Sequence, residues 1–302
     1  MKAIVLTEYG DADRLQLRDV PDPKPGPDQI AVRVAAASIN PIDWKLRSGA
    51  FRNTMPLELP AILGRDVAGT VVARGSGAPP FDVGARVLGL AWRAYAEIVV
   101  AGPDAWAEVP AGMNLVDAAA LPLAVLTGAQ LVEEAVNVRE GEALLVTGAT
   151  GSVGRAAVFA ARGRGARVYA GVRARHKSEA ARLDVQGVVA IDDEVEIASL
   201  PPVDAIADTV GGETTRRLLD RVKSGGRIGS VVGPPPGSEG RQLVIRPIFT
   251  HPDPRRLGAL ARAVAEGKLV IPIARKFPLR EAAAAQTFAA TGADGKVVLT
   301  VD

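Results

Sequence analysis

The stretch Ala143–Arg173, ALLVTGATGSVGRAAVFAARGRGARVYAGVR, decides how the rest of the chain is read. Leu144, Leu145 and Val146 form a short apolar run of the kind a buried strand needs. Gly148, Gly151 and Gly154 follow at three-residue spacing. Ser152 to Arg162 is small and apolar enough for a helix lying close on a sheet, Gly163 and Gly165 end it, and Arg167 to Val172 reads as the next strand. Strand, glycine turn, helix and strand in one unit of roughly thirty residues is the pattern of a dinucleotide site. Glycines let backbone N–H groups approach a pyrophosphate, and the helix N-terminus directs positive dipole at it. Gly148, Gly151, Ser152, Val153 and Gly154 are therefore the candidate cofactor-binding residues of the turn.

The far end of this unit indicates which dinucleotide. An NAD site usually has Asp or Glu at the tip of the second strand to hold the ribose hydroxyls. Here the tip reads Gly171, Val172, Arg173, Ala174, Arg175, His176, Lys177, with no acid before Glu179. Arg173 and Lys177 are the candidates for a 2′-phosphate, which Arg grips with paired N–H bonds. A solvated basic loop is the alternative for each cation. The expected cofactor is NADPH.

A chain of 302 residues is long enough for two domains and a substantial core. Its net charge is +2 with acids and bases interleaved, so the pI near 9.0 does not mark a nucleic-acid-binding stripe. Scarce aromatics also argue against base-stacking surfaces. With no cysteine, disulfides, thiolate nucleophiles and cysteine metal sites are excluded together. The first residues, MKAIVLTEYG, lack the apolar run of a signal peptide and read as a strand. Ala118 to Val132 is interrupted by Pro122, Thr127, Gly128 and Gln130 and is not expected to span a membrane. A cytoplasmic protein is expected.

The first hundred residues read as seven short strands: KAIVLT, RLQLRDV, QIAVRVAAA, DVAGTVVARG, GARVLGL, AYAEIVV and AWAEVP. PDPKPGPD and GSGAPPFDVG are turns, and the whole suggests a barrel-like or sandwiched β domain. Ser38 to Gly49 breaks the rhythm as a short helix opening at Asn40-Pro41. Asp117 to Val136 reads as a helix kinked at Pro122. After the glycine unit, strands at Val188, Val203 and Gly226 alternate with helical segments of roughly ten to fifteen residues, as in a doubly wound parallel sheet. A helix is expected at Arg255 to Glu266. Beyond it come a strand, a helix over Glu281 to Thr291 and a last strand, KVVLTV. The expected division is residues 1–117, a nucleotide domain at 118–262, and a return to the first domain at 263–302.

In the order SINPIDWKLRSG, GRDVAGTV, GARV, AYAEIVV, AALPLAVLTGAQLV, TGATGSVGRAAV, DTVGG, GGRIGSVVG and GKVVLTV, the chain resembles the zinc-independent quinone oxidoreductase branch of the medium-chain dehydrogenase/reductase superfamily. The resemblance runs through nearly the whole chain. It implies a GroES-like β domain built from both chain ends around a Rossmann domain, NADPH as hydride donor, and commonly a homodimer. It also implies roles for single residues. Asn40 matches an asparagine at the nicotinamide ribose, and is otherwise a helix cap. Lys45 matches the lysine of an N-P-x-D-x-K pattern in enone-reducing relatives, where its ammonium polarises a carbonyl or donates a proton; otherwise it is a surface lysine. Trp44 and Phe51 either wall a substrate pocket or belong to the core. Quinone reductases often carry a tyrosine here, and none lies between Asn40 and Phe51. Thr127 matches a threonine at the nicotinamide side, the alternative being a helix residue bonded to its own backbone. Gly233 matches a glycine where the chain passes the cofactor. Asp193 replaces a tyrosine found near the adenine in many relatives.

Rival chemistries find no support. Zinc-dependent relatives begin one motif Gly-His-Glu where this chain has Gly64, Arg65, Asp66, and its two histidines, His176 and His251, read as loop residues. Tyr9, Tyr95 and Tyr169 are followed four residues on by Asp13, Val99 and Arg173, so the Tyr-Lys pair of short-chain reductases is missing. No G-x-S-x-G elbow occurs. What remains is metal-free hydride transfer to a small-molecule quinone or α,β-unsaturated carbonyl, or else an NADPH-binding protein with a sensing or structural role.

Overall fold

A computed structural model describes residues 1–78 and 81–301. Pro79 and Pro80 of the GSGAPPFDVG turn, and Asp302, lie outside the described residues. The chain divides into two units, Met1–Leu123 with Pro252–Asp302, and Ala124–His251.

The second unit holds six parallel strands in the spatial order Gly187–Ala190, Arg167–Val172, Ala143–Thr147, Val203–Asp208, Val222–Ser230 and Val244–Pro247. Numbered from the first of them in sequence, this is the 3-2-1-4-5-6 order of a doubly wound nucleotide-binding sheet. Ala143–Thr147 lies at its centre and all five of its residues are buried. Covering on both faces explains why this strand is continuously apolar rather than alternating. Burying each of Leu144, Leu145 and Val146 contributes about 1.5–3 kcal/mol.

The helices of this unit are shorter than the sequence suggests: Lys177–Ala180, Glu194–Ser199 and Gly212–Leu218 are one or two turns each. Asp193 opens the second of these by accepting the N–H groups of Val195 and Glu196 at 2.8 and 3.2 Å. The strand Val244–Pro247 escapes a sequence reading because one exposed edge of four residues ending in proline carries no alternation.

In the first unit the strands Ile273–Pro278, Lys296–Thr300, Ile30–Ile39, Asp66–Arg74, Arg86–Leu90 and Trp106–Glu108 follow one another across a seven-stranded sheet, and Ile98–Ala101 also pairs with Ile30–Ile39. A three-stranded sheet places Lys2–Leu6 between Leu15–Asp19 and Ala61–Ile62. Val32, Val34, Val67, Val87, Trp106, Phe277 and Leu299 share its core. The last strand runs antiparallel to Ile30–Ile39 with Val297 opposite Ile39, which brings Lys296 level with Asn40.

Three boundaries differ from expectation. The first stretch of the first unit runs to Leu123, not 117. The return to the first unit begins at Pro252, not 263, because the helix Pro254–Ala265 packs against Trp106–Glu108 of the first sheet. The helix expected over Asp117 to Val136 is instead Leu115–Ala118, Pro122–Gln130 and a π-helical Leu131–Val136, ended by Asn137 at φ 49°. Pro122 starts a segment there rather than kinking one, as a ring without an N–H favours. Taken as one stretch, Leu115–Val136 contains an 18-residue window long and apolar enough to cross a membrane, with mean hydropathy 1.7, yet 78% of that window is buried inside the protein, as in a core helix.

Candidate active site

The glycine turn leaves Ala143–Thr147 at the point where strand order reverses, beside the end of Val203–Asp208. Buried Asp208 ties these ends together. Its Oδ1 accepts from Thr147 Oγ1 at 2.8 Å, Thr215 Oγ1 at 2.7 Å and the Gly211 N–H at 3.0 Å, and its Oδ2 accepts from Ser230 Oγ at 2.9 Å. Thr209 returns the connection, donating N–H to Thr147 Oγ1 at 2.9 Å and Oγ1–H to the Thr147 carbonyl at 2.7 Å.

Gly148 adopts φ 63°, and a Cβ there would lie 2.5 Å from Thr209 Oγ1. At Gly154 a Cβ would lie 2.1 Å from the Gly148 carbonyl oxygen, so this glycine is what lets the helix Ser152–Gly163 press on the turn. Gly151, Ser152 and Val153 open that helix with exposed or partly buried residues. The cradle fits a pyrophosphate: bare backbone at the positive end of a twelve-residue helix.

At the tip of Arg167–Val172 the cations separate by their partners. Lys177 Nζ donates to Glu196 Oε1 at 2.6 Å, and Arg175 Nε donates to His176 Nε2 at 2.9 Å. Arg173 is exposed. Glu179, the first acid in sequence after the tip, is held by Arg155, whose Nε also donates to the Thr150 carbonyl of the turn at 2.8 Å. Asp192, unnoticed in the sequence, accepts the Ala174 N–H at 2.8 Å and shapes this loop.

Elsewhere in the second unit Thr127 Oγ1 lies 2.6 Å from Thr250 Oγ1. Gln130 holds the same loop by accepting the His251 N–H at 3.1 Å and donating to its carbonyl at 2.8 Å. His251 Nε2 lies 3.1 Å from the Glu134 carboxylate. Gly233 has φ 100°.

The first unit holds a dense polar cluster. Asn40, 4% exposed, precedes the helix Pro41–Arg47. Its Nδ2 donates to Asp66 Oδ2 at 2.8 Å, and its Oδ1 accepts from Lys296 Nζ at 2.6 Å. Lys296 also donates to Asp66 Oδ2 and to the Ile39 carbonyl, both at 3.2 Å. Asp66 further accepts from Ser38 Oγ at 2.6 Å and from the Leu123 N–H at 2.6 Å. Asn40 is thus positioned at the helix start, while its side chain serves this network.

Asp43 accepts the Asn40 N–H at 2.8 Å and the Tyr95 hydroxyl at 2.7 Å through Oδ2, while its buried Oδ1 has no hydrogen-bond partner. Burial pushes the Asp43 carboxyl up to about 7. Burial, with Asp43 beside it, also holds the Tyr95 phenol well above its ordinary value, so Tyr95 remains the donor. Lys45 is partly buried, with Nζ 5.7 Å from the Phe51 ring centroid. Trp44 and Phe51 are partly buried and pack against the first core. The sequence signals for Asp43 are its capping-box spacing three residues after Asn40 and its place as the acid of the N-P-x-D-x-K pattern. Nothing local announces Asp66, Tyr95 or Lys296.

Comparison with known proteins adds the following. The family model described as alcohol dehydrogenase GroES-like domain matches residues 26–113, and that described as zinc-binding dehydrogenase matches residues 183–299. A quinone oxidoreductase of Pseudomonas aeruginosa is 31% identical over 99% of this chain and 99% of its own. A chloroplastic quinone-oxidoreductase homologue of Spinacia oleracea is 36% identical over 52% of this chain, which spans about half (51%) of that relative. The crystal structure of Escherichia coli quinone oxidoreductase complexed with NADPH matches with a TM-score of 0.87 at 26% identity, covering 99% of this chain and 100% of that one.

Proposed function

Because the chain belongs to the quinone oxidoreductase branch of the medium-chain dehydrogenase/reductase superfamily, we propose that it reduces a quinone or an α,β-unsaturated carbonyl compound, using NADPH and no zinc. The observation that carries this reading is the glycine cradle at the strand-order reversal, with a basic tip to the second strand. The NADPH seen in the Escherichia coli relative supports the same cofactor.

Bound NADPH would supply the hydride. The N–H groups of the turn and of Ser152, Val153 and Gly154 would hold its pyrophosphate. Arg173 would take the 2′-phosphate, since Lys177 is already paired with Glu196. Asn40 keeps a second Oδ1 lone pair for a ribose hydroxyl while Lys296 and Asp66 fix the amide's orientation. Lys45 Nζ would polarise the substrate carbonyl or deliver its proton, with Trp44 and Phe51 excluding water nearby.

The donor set supports the zinc-free reading. Among the described residues no group of three or more His, Asp or Glu side chains is arranged to hold a metal, and the chain has no cysteine. Asp66 is already met by an ammonium, an amide, a hydroxyl and a backbone N–H. NADPH consumption with a panel of quinones and enones tests the proposal. Turnover of one class supports it; NADPH binding without any turnover would replace it with a sensing or structural role.

A further inference from the structure

Arg65 has Asp66 and Asp43 acting on it through space but no hydrogen-bonded acceptor for its guanidinium. Its carbonyl accepts the Ala91 N–H at 2.8 Å, which anchors it beside the loop carrying Trp92. The guanidinium carbon lies 3.9 Å from the Trp92 ring centroid. Among the described residues no carboxylate, carbonyl or hydroxyl accepts a hydrogen bond from this guanidinium, and its Nε is buried with no partner at all. The nearest acids are committed elsewhere: Asp66 to Ser38, Asn40, Lys296 and Leu123, and Asp43 to Asn40 and Tyr95.

Such an arrangement is costly unless something accepts from it. A buried donor left unmade costs about 1–3 kcal/mol, and more for a charged group. Stacking on Trp returns about 0.5–2 kcal/mol and satisfies no N–H. The 3.9 Å approach does hold the guanidinium against the indole. Trp92 itself is 47% exposed and presents apolar surface beside the guanidinium. Burial holds the Arg65 pKa below its ordinary value, and the charge is retained, as it is for arginine in general.

We propose that Arg65 and Trp92 form a binding site for a planar ligand with an anionic or carbonyl oxygen, the guanidinium donating to that oxygen and the indole fixing the guanidinium. For the substrate, this rests on the reductase reading above. Hydride addition to an enone or a quinone moves a π electron pair onto the substrate oxygen, and Lys45 or water then protonates the enolate or hydroquinone anion. Arg65 would stabilise that oxygen before the proton arrives. Lys45 remains the candidate for the proton itself.

The test is calorimetric titration of the full chain with benzoate, alongside Arg65→Gln, Trp92→Leu and the reduction assay. Wild type should bind benzoate, Arg65→Gln should weaken it by about tenfold or more, and Trp92→Leu should weaken it by about threefold. The reduction kcat should fall about a hundredfold in Arg65→Gln with NADPH affinity unchanged. No benzoate binding by wild type, or equal binding by both variants, overturns the site. If Arg65→Gln fails to fold, Trp92→Leu decides: undiminished benzoate affinity there overturns it. Arg65-dependent benzoate binding in a protein that turns over no quinone or enone sustains the site and refutes the reductase reading. Unchanged kcat and benzoate affinity in Arg65→Gln do the reverse.

Discussion

Lys296 Nζ lies 2.6 Å from Asn40 Oδ1, joining residues 256 positions apart in sequence. The bond links the last strand to the first helix of the same unit, and Asp66 Oδ2 completes it at 3.2 Å from the ammonium. Lys296 is 6% exposed and the Asp66 side chain is fully buried. Removing one member of a buried pair strands the other charge, at a cost of about 3–5 kcal/mol. Lys296→Met should therefore lower unfolding stability in urea by about that much. Adding Asp66→Asn should restore part of the loss. A double variant as unstable as the sum of the singles would mean the two charges do not act as a pair.

Asp43 should make stability fall as pH rises. An unfolded aspartate titrates near 3.8, whereas burial brings the folded group to about 7. Between these values the folded chain binds the additional proton, so the slope of unfolding free energy against pH is negative. Below the lower value both states are protonated and this loss is absent; above the upper value it is complete, at roughly a few kcal/mol. Asp43→Asn should flatten the difference between urea midpoints at pH 5 and pH 8. Identical pH dependence in the variant and wild type would count against the buried, protonated carboxyl.

The basic tip should discriminate between cations. Arg173→Ala is expected to weaken NADPH by about tenfold or more and NADH hardly at all, because only one of them carries a 2′-phosphate. Lys177→Ala should do much less, its ammonium being bound to Glu196. Fluorescence titration with both dinucleotides reads this directly, and equal losses for NADPH and NADH on changing Arg173 would refute it.

Gly154→Ala places a methyl 2.1 Å from the Gly148 carbonyl oxygen, a backbone atom that has no rotamer to escape by. Dinucleotide affinity should drop by about a hundredfold, with some loss of stability. Gly151→Ala, whose Cβ would be 3.3 Å from the same oxygen, should be milder. The reverse ranking would mean that close approach of helix to turn is not what Gly154 provides.

The sheet of the second unit was largely readable because a strand buried on both faces announces itself as an apolar run, and Gly148, Gly151 and Gly154 punctuate its start. Val244–Pro247 was not readable, being short, exposed and at an edge. The one- and two-turn helices are shorter than the sequence suggests because polar loop residues such as Asp192 and Asp193 share the composition of helix surfaces. The polar cluster of the first unit was hidden for a different reason. Strand pairing alone brings Lys296 to Asn40 and Asp66, and periodicity records which face a residue takes but not which strand lies next to it. Asn40 and Lys45 came from the family resemblance, whereas Lys296, Asp66 and Tyr95 needed the fold.

The central claim is tested most directly by the protein after exhaustive treatment with a chelator. NADPH absorbance is then followed with quinones and enones, and the metal content of the same sample is measured. Substrate-dependent NADPH consumption at an undiminished rate is expected in a metal-free sample, with a much poorer rate for NADH. Loss of activity with the chelator and its recovery on adding zinc would contradict it.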